Sequence, residues 1–420
     1  LILLIINRVI GYDLVNKIGY KMGIVYGLLI SAIGSVAMIA SVNAGKYEFI
    51  LISLFIIGLG FSLQQTCAQP FALSLGDPKQ GAQRLSLAGG VNSFGTTIGP
   101  IVLGLFLTMG DRKLSDLTDA EKSSLFHSMN MLYIVVTALF IGCAALFYFT
   151  KMQRNTVIEG DKEETGSVFQ FPQLVLGVIA IFIYVGVEVS VQSNLGELLK
   201  KGVLGTFTDS QVASLISLYW GSLMVGRWTA GASVFKVSPS TKNLVTAGVA
   251  LLAFSVVVVC NMFLLKVDAS LFLYYLPVIL LFIGIYIIGK DRPATTLLML
   301  SIFGVTSMII GLVSGGMLAV YAFVAGGMAC SIMWPFIFSL ALSGLGKYTS
   351  KGSAILIMMI LGGAIIPLIQ GELADHYDIK VSYIVPVICF AYLGYFAFAV
   401  KGILKKQGIE ADSVEAEGGH

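Results

Sequence analysis

What this 420-residue chain has least of is charge: Lys, Arg, Asp and Glu make up 12% of it, against 57% hydrophobic residues. With a mean hydropathy of +0.90, too few polar groups are present to cover a water-facing surface of this size, which excludes a soluble globular protein. Histidine is nearly as scarce. The three present, His127, His376 and His420, fall in outer loops or the tail, with no His-Glu-x-x-His or Cys/His spacing, so no metal, cofactor or enzymatic centre is expected. "GDPKQG" lacks the Gly-Lys-Ser/Thr ending of a phosphate loop. The five cysteines, Cys67, Cys143, Cys260, Cys330 and Cys389, have neither disulfide nor metal spacing and read as free packing thiols. A net charge of +3 is too small to point to a nucleic-acid partner.

What is abundant is apolar runs of about 20 residues, the length that crosses a bilayer. They recur at 20–42, 48–70, 85–109, 129–150, 172–198, 211–234, 243–264, 271–289, 295–314, 318–343, 352–371 and 381–400. Aromatic, Gly and Leu/Ile residues mix in them without two-residue alternation, so they read as helices rather than barrel strands. If the loop after residue 10 faces the cytoplasm, about twice as many Lys and Arg fall on that side as on the other, the bias that orients membrane proteins. The C-terminus is then cytoplasmic. The polar stretch "TKMQRNTVIEGDKEETGSVFQ" (150–170) marks a cytoplasmic linker, taken as 151–171, between two helical halves. A repeat relates those halves: "QPFALSL" (69–75) matches "WPFIFSL" (334–340), and "GPIVLG" (99–104) matches "IPLIQG" (366–371), in the same order and at similar spacing. Duplicated helical bundles of this kind are typical of secondary transporters.

The blocks "GLGFSLQQTCAQPFALSLGDPKQGAQRLSLAGGVNSFGTTIGP", "YVGVEVSVQSNL", "GSLMVGRWTAG" and "SIMWPFIFSLALSGLGKYTSKGSAILIMMILGGAIIPLIQGELAD" resemble the fucose/glucose/galactose:proton symporters of the major facilitator superfamily, in particular the bacterial glucose/galactose subgroup. The resemblance implies an all-α two-bundle fold: an N-terminal bundle over 1–150, a C-terminal bundle over 172–400, and a polar tail over 401–420. By the same resemblance residues 1–10 correspond to the end of helix 2, so helix 1 and most of helix 2 are expected to be absent. The runs within 271–314 form an extra hairpin between helices 9 and 10. The implied function is secondary active import of a hexose through the bacterial inner membrane by a monomer using alternating access, coupled to protons. A sugar sensor that binds without transport is the alternative.

Of all the Asp and Glu residues only Glu188, in "IFIYVGVEVSVQ", lies deep within an apolar run. Intramembrane carboxylates are costly and face cavities or partners. Glu188 either hydrates a vestibule, hydrogen-bonds sugar hydroxyls, or carries the coupling proton. In "LQQTCAQP" Gln65 and Gln69 are one turn apart and share a face, with Gln64 elsewhere; they line a cavity or bond between helices. The resembling fucose-type members carry Glu where this chain has Gln65, so a proton role does not transfer there. Asn92 and Trp334 match family sugar contacts. Arg227 in "GRWTAG" either snorkels to the lipid surface or gates by contacting a helix end or loop carboxylate. The glycines and Pro367 of "LGGAIIPLIQG" allow close packing and bending of the helix that carries them.

Overall fold

The computed structural model describes residues 14–74, 81–106, 118–151, 167–231, 239–289 and 292–412. Among these every regular element is helical, as a hydrocarbon surrounding demands, because only a helix satisfies its own backbone there. The long helices are α1 (Leu14–Ala44), α2 (Tyr47–Ser74), α3 (Gly81–Phe106), α4 (Asp119–Phe149), α5 (Pro172–Lys200), α6 (Asp209–Gly231) and α7 (Pro239–Leu265). They continue with α8 (Leu276–Gly289), α9 (Pro293–Val313), α10 (Gly316–Cys330), α11 (Met333–Leu342), α12 (Thr349–Met358), α13 (Gly362–His376) and α14 (Ile384–Lys406). Ten spans among the described residues are long and apolar enough to cross a bilayer, so the protein is a multi-pass membrane protein.

Several of those spans are interrupted. α10 and α11 form one span, Gly316–Leu342, broken at Ser331 and Ile332, where Ile332 leaves helical geometry (φ −126°, ψ 10°). Pro335 explains the break, since its ring excludes a helical carbonyl four residues earlier, at Ser331. The Ser331 hydroxyl donates to the Met328 carbonyl at 2.7 Å, satisfying part of the freed backbone. α12 and α13 are separated by a 3-10 turn at Met359–Leu361. Pro367 lies within α13, so the irregularity falls upstream of the proline on which the sequence suggests bending.

The chain forms two compact units, residues 1–81 with 106–164, and residues 82–105 with 165–420. In the first, α1 packs along α2 and α4 over a core that includes Ile24, Leu28, Leu63, Cys67 and Phe71. A Cβ on Gly60 would stand 2.5 Å from the Gly27 carbonyl oxygen, so the α1–α2 approach requires glycine. Serines stitch this unit: Ser35 donates to the Tyr133 carbonyl at 3.2 Å, and Ser41 and Ser53 bond each other at 2.8 Å.

In the second unit α5 is central, packed by α10, α11, α13 and α14. A Cβ on Gly362 would lie 1.7 Å from the Phe182 carbonyl oxygen, so here the expected small-residue packing is obligatory. α9 packs along α10 and α14, the position that α1 holds beside α2 and α4 in the other unit. The match follows the repeat, since α2 carries "QPFALS" and α11, continuing α10, carries "WPFIFSL". α7 packs chiefly on α6 and more lightly on α8, at the edge of the unit. All five cysteines are free, with Cys67, Cys330 and Cys389 buried. Among the described residues no group of His, Cys, Asp and Glu could hold a metal.

Candidate functional site

Glu188 stands on α5 one turn after Tyr184, on the same face. The Tyr184 hydroxyl donates to Glu188 Oε2. Arg227, on α6, approaches the same oxygen with Nη2 at 3.4 Å, the two side chains being 21% (Arg227) and 14% (Glu188) exposed. A carboxylate this enclosed is held in place by an opposite charge and a hydroxyl, the arrangement that makes an interior charge tolerable. Both donors aim at Oε2, and Oε1 accepts no hydrogen bond among the described residues. Tyr219, fully buried on α6, donates to the Glu188 backbone carbonyl at 2.6 Å and fixes α5 against α6 at this level.

The other arm of Arg227 reaches α3: Nη1 donates to Ser93 Oγ at 2.8 Å. The neighbouring contacts run along the same seam, Trp228 Nε1 to the Gly90 carbonyl at 3.2 Å and Ser217 Oγ to the Thr97 carbonyl at 3.0 Å. Arg227 therefore neither snorkels outward nor meets a loop carboxylate; its acidic partner is Glu188.

Trp334 opens α11 directly after the helix break. Its ring lies 6.1 Å from Tyr184 between centroids and stacks on Phe338 at 6.0 Å and 18°. On the facing helix α6, Gly226 meets the break: a Cβ there would be 2.0 Å from Ser331 Oγ. The sequence neighbours Gly226 and Arg227 thus bring one helix to both the broken span and the carboxylate. An aromatic wall, a carboxylate oxygen open to a donor and interrupted backbone at membrane depth are what a neutral, hydroxyl-rich ligand can use.

The structure brings together Glu188, Arg227 and, through Tyr184, Trp334. Asn92 lies beside Ser93 on α3 with its own side chain exposed. Gln65 is exposed on α2 in the first unit, while Gln64 turns to α1 and donates to Ser31 Oγ at 3.3 Å, as the helix-face argument separates them. The side chain of Gln69 lies outside the described residues. Sequence reasoning missed Tyr184, Tyr219 and Ser93. For Tyr184 the signal was present, a phenol four residues before the one deep carboxylate.

The chain matches the Major Facilitator Superfamily model over residues 2–289. It is 34% identical over 387 residues to the glucose/galactose transporter of Brucella abortus biovar 1 (strain 9-941), covering 91% of this chain and 79% of that protein. To the L-fucose-proton symporter of Escherichia coli (strain K12) it is 25% identical over 405 residues, covering 91% and 79%. A crystal structure of the Escherichia coli fucose:proton symporter aligns with a TM-score of 0.62 at 24% identity, covering 92% of this chain and 85% of that one.

Proposed function

The chain belongs to the Major Facilitator Superfamily, and from that premise we propose that it is a proton-coupled sugar transporter importing a hexose by alternating access. Relatives named glucose/galactose transporter and L-fucose-proton symporter support the substrate class and the coupling ion. The proposed setting is the bacterial inner membrane, with the linker and C-terminus cytoplasmic and the chain acting as a monomer. The proposed bundles are the sequence halves 1–150 and 172–400.

The observation that carries the site is the Glu188 carboxylate, with Oε2 engaged by Tyr184 and Arg227, Oε1 accepting no hydrogen bond among the described residues, and the Trp334 ring packed against Tyr184. In the proposed site Glu188 Oε1 accepts from sugar hydroxyls and Trp334 covers an apolar ring face. Asn92 is proposed to extend the polar lining, and Gln65 and Gln69, on α2, are proposed as further sugar-binding residues. Arg227 is the counter-charge and the candidate gate. Glu188 is also the candidate for proton coupling, since a group whose charge is set by a counter-ion can report a change in that contact only if the two states differ in affinity.

The test is uptake into proteoliposomes with glucose, galactose and fucose as separate probes. An inwardly directed proton gradient is expected to drive accumulation of at least one of them, and a protonophore to collapse it. Glu188→Gln is expected to abolish accumulation while leaving exchange down the sugar gradient. Accumulation driven by sodium alone, or uptake of none of the three sugars, would overturn the reading. Loss of both binding and exchange in Glu188→Gln would make Glu188 a sugar ligand without a coupling role.

A further inference from the structure

Arg227 divides its guanidinium between two partners on two helices. Nη1 meets Ser93 Oγ at 2.8 Å and Nη2 meets Glu188 Oε2 at 3.4 Å. The preferred geometry of an arginine and a carboxylate is a fork, two parallel N–H to oxygen bonds that occupy both carboxylate oxygens. Here the fork is not formed. Ser93 is fully buried on α3, and its own hydroxyl proton goes to the Gly89 carbonyl at 2.8 Å. Its lone pairs therefore face the guanidinium as a fixed acceptor. Trp228, the next residue on α6, donates to Gly90, which holds the two backbones in register at this point.

We propose that Ser93 is a positioning residue of the sugar site: by holding one arm of Arg227 it keeps the guanidinium from closing onto both oxygens of Glu188, and so leaves Oε1 for the substrate. The inference rests on the reading of Glu188 as a sugar-facing group. Without the Ser93 hydroxyl, Nη1 loses a buried acceptor, and an unsatisfied buried donor is driven to the nearest remaining one. The charged acceptor already met by the other arm of the guanidinium is Glu188. A closed fork strengthens the ion pair and removes the oxygen the sugar needs. Ser93 thus acts through Arg227, and its loss should weaken sugar binding without weakening the protein, the opposite of what removal of a merely structural hydroxyl would do.

The experiment compares Ser93→Ala, Ser93→Thr and Glu188→Gln in the full-length protein in lipid nanodiscs, with glucose and galactose as probes for binding and thermal unfolding as a second readout. Ser93→Ala is expected to weaken sugar binding about tenfold, the worth of roughly one hydrogen bond, with an unfolding temperature equal to or above that of the parent. Ser93→Thr, which keeps the hydroxyl, is expected to bind like the parent. In a Glu188→Gln background, Ser93→Ala is expected to add nothing, because the amide offers one acceptor oxygen and cannot form the fork. Unchanged affinity in Ser93→Ala overturns the proposal, as does a loss of affinity accompanied by lower stability, or effects of Ser93→Ala and Glu188→Gln that simply multiply. If Ser93→Ala does not fold, Ser93→Cys, similar in volume and a weak acceptor, carries the same comparison. Glu188→Gln that binds both sugars as the parent does would instead remove the underlying reading of the site, an outcome separate from any result at Ser93.

Discussion

Two ion pairs in the second unit use the same chemistry in opposite surroundings. Glu188 and Arg227 are enclosed, 14% and 21% exposed, with helices α3, α5 and α6 supplying the hydrogen-bonding side chains Ser93, Tyr184 and Glu188, and Arg227. Lys401 and Asp412 join the end of α14 to the C-terminal segment, and Lys401 remains 54% exposed. The enclosed pair has few alternatives to its partners, so geometry dictates which oxygen stays open. The outer pair competes with water and salt and serves a different purpose. Asp412 also accepts from the Thr295 backbone N–H at 3.1 Å, capping the start of α9, whose own N-cap residue Arg292 makes no side-chain bond. Nearby, Gln407 and Gln173 exchange hydrogen bonds at 2.9 and 3.1 Å. Position in the membrane, more than the identity of the charges, decides whether a pair shapes a site or fastens a segment.

The largest expected effect comes from breaking the enclosed pair on one side. Arg227→Met leaves Glu188 without its counter-charge, and removal of one member of a buried pair costs about 3–5 kcal/mol. Chemical unfolding in detergent should register that loss. Replacing both members, Arg227→Met with Glu188→Leu, should restore most of the stability while sugar uptake stays absent. If the single variant loses under about 1 kcal/mol, the enclosed pair behaves like the outer one and the contrast fails.

A steric change against the helix that carries Glu188 separates packing from charge. Gly362→Ala puts a Cβ 1.7 Å from the Phe182 carbonyl oxygen across the α5–α13 seam, and a backbone atom cannot swing aside as a side chain can. Overpacking of this kind costs about 1–3 kcal/mol, read again by unfolding. Sugar affinity in the surviving folded fraction should change little, because the Tyr184–Glu188–Arg227 network lies on other contacts. An affinity loss as large as that of Ser93→Ala would mean that the site senses α5 displacement in general rather than the hydrogen bond in particular.

The helical architecture was legible because apolar run length and the absence of alternation leave one solution in a bilayer. Glu188 was legible for the same reason, as the deep carboxylate in a chain poor in charge. Its partner was not. Arg227 lies 39 positions away in sequence, and nothing in residue spacing says that α5 and α6 turn these faces to each other. Ser93 was hidden more completely, since serines in membrane helices commonly bond their own preceding carbonyls, and this one does so with Gly89 while also accepting from Arg227.

The smallest effect belongs to the outer pair, and pH distinguishes it from the inner one. Burial by itself would raise the Asp412 pKa, but the Lys401 ammonium and the Thr295 donors outweigh it and hold the carboxyl below its ordinary value of 3.8. A carboxyl depressed in the folded state contributes stability that is fully present above its unfolded value and is lost as pH falls through the folded one. The protection of residues 407–412 against hydrogen exchange, taken relative to the intrinsic rate at each pH, should therefore be flat from pH 8 down to about 5 and fall only below the ordinary carboxylate range. Asp412→Asn should remove that acid transition and cost less than about 1 kcal/mol, and about 1 M salt should mimic much of its effect by screening the exposed ammonium. Protection lost already near neutral pH, or an Asp412→Asn chain as well protected in acid as the parent at neutrality, would show that Gln173, Gln407 and the buried Ala411 fasten this segment without help from the charge.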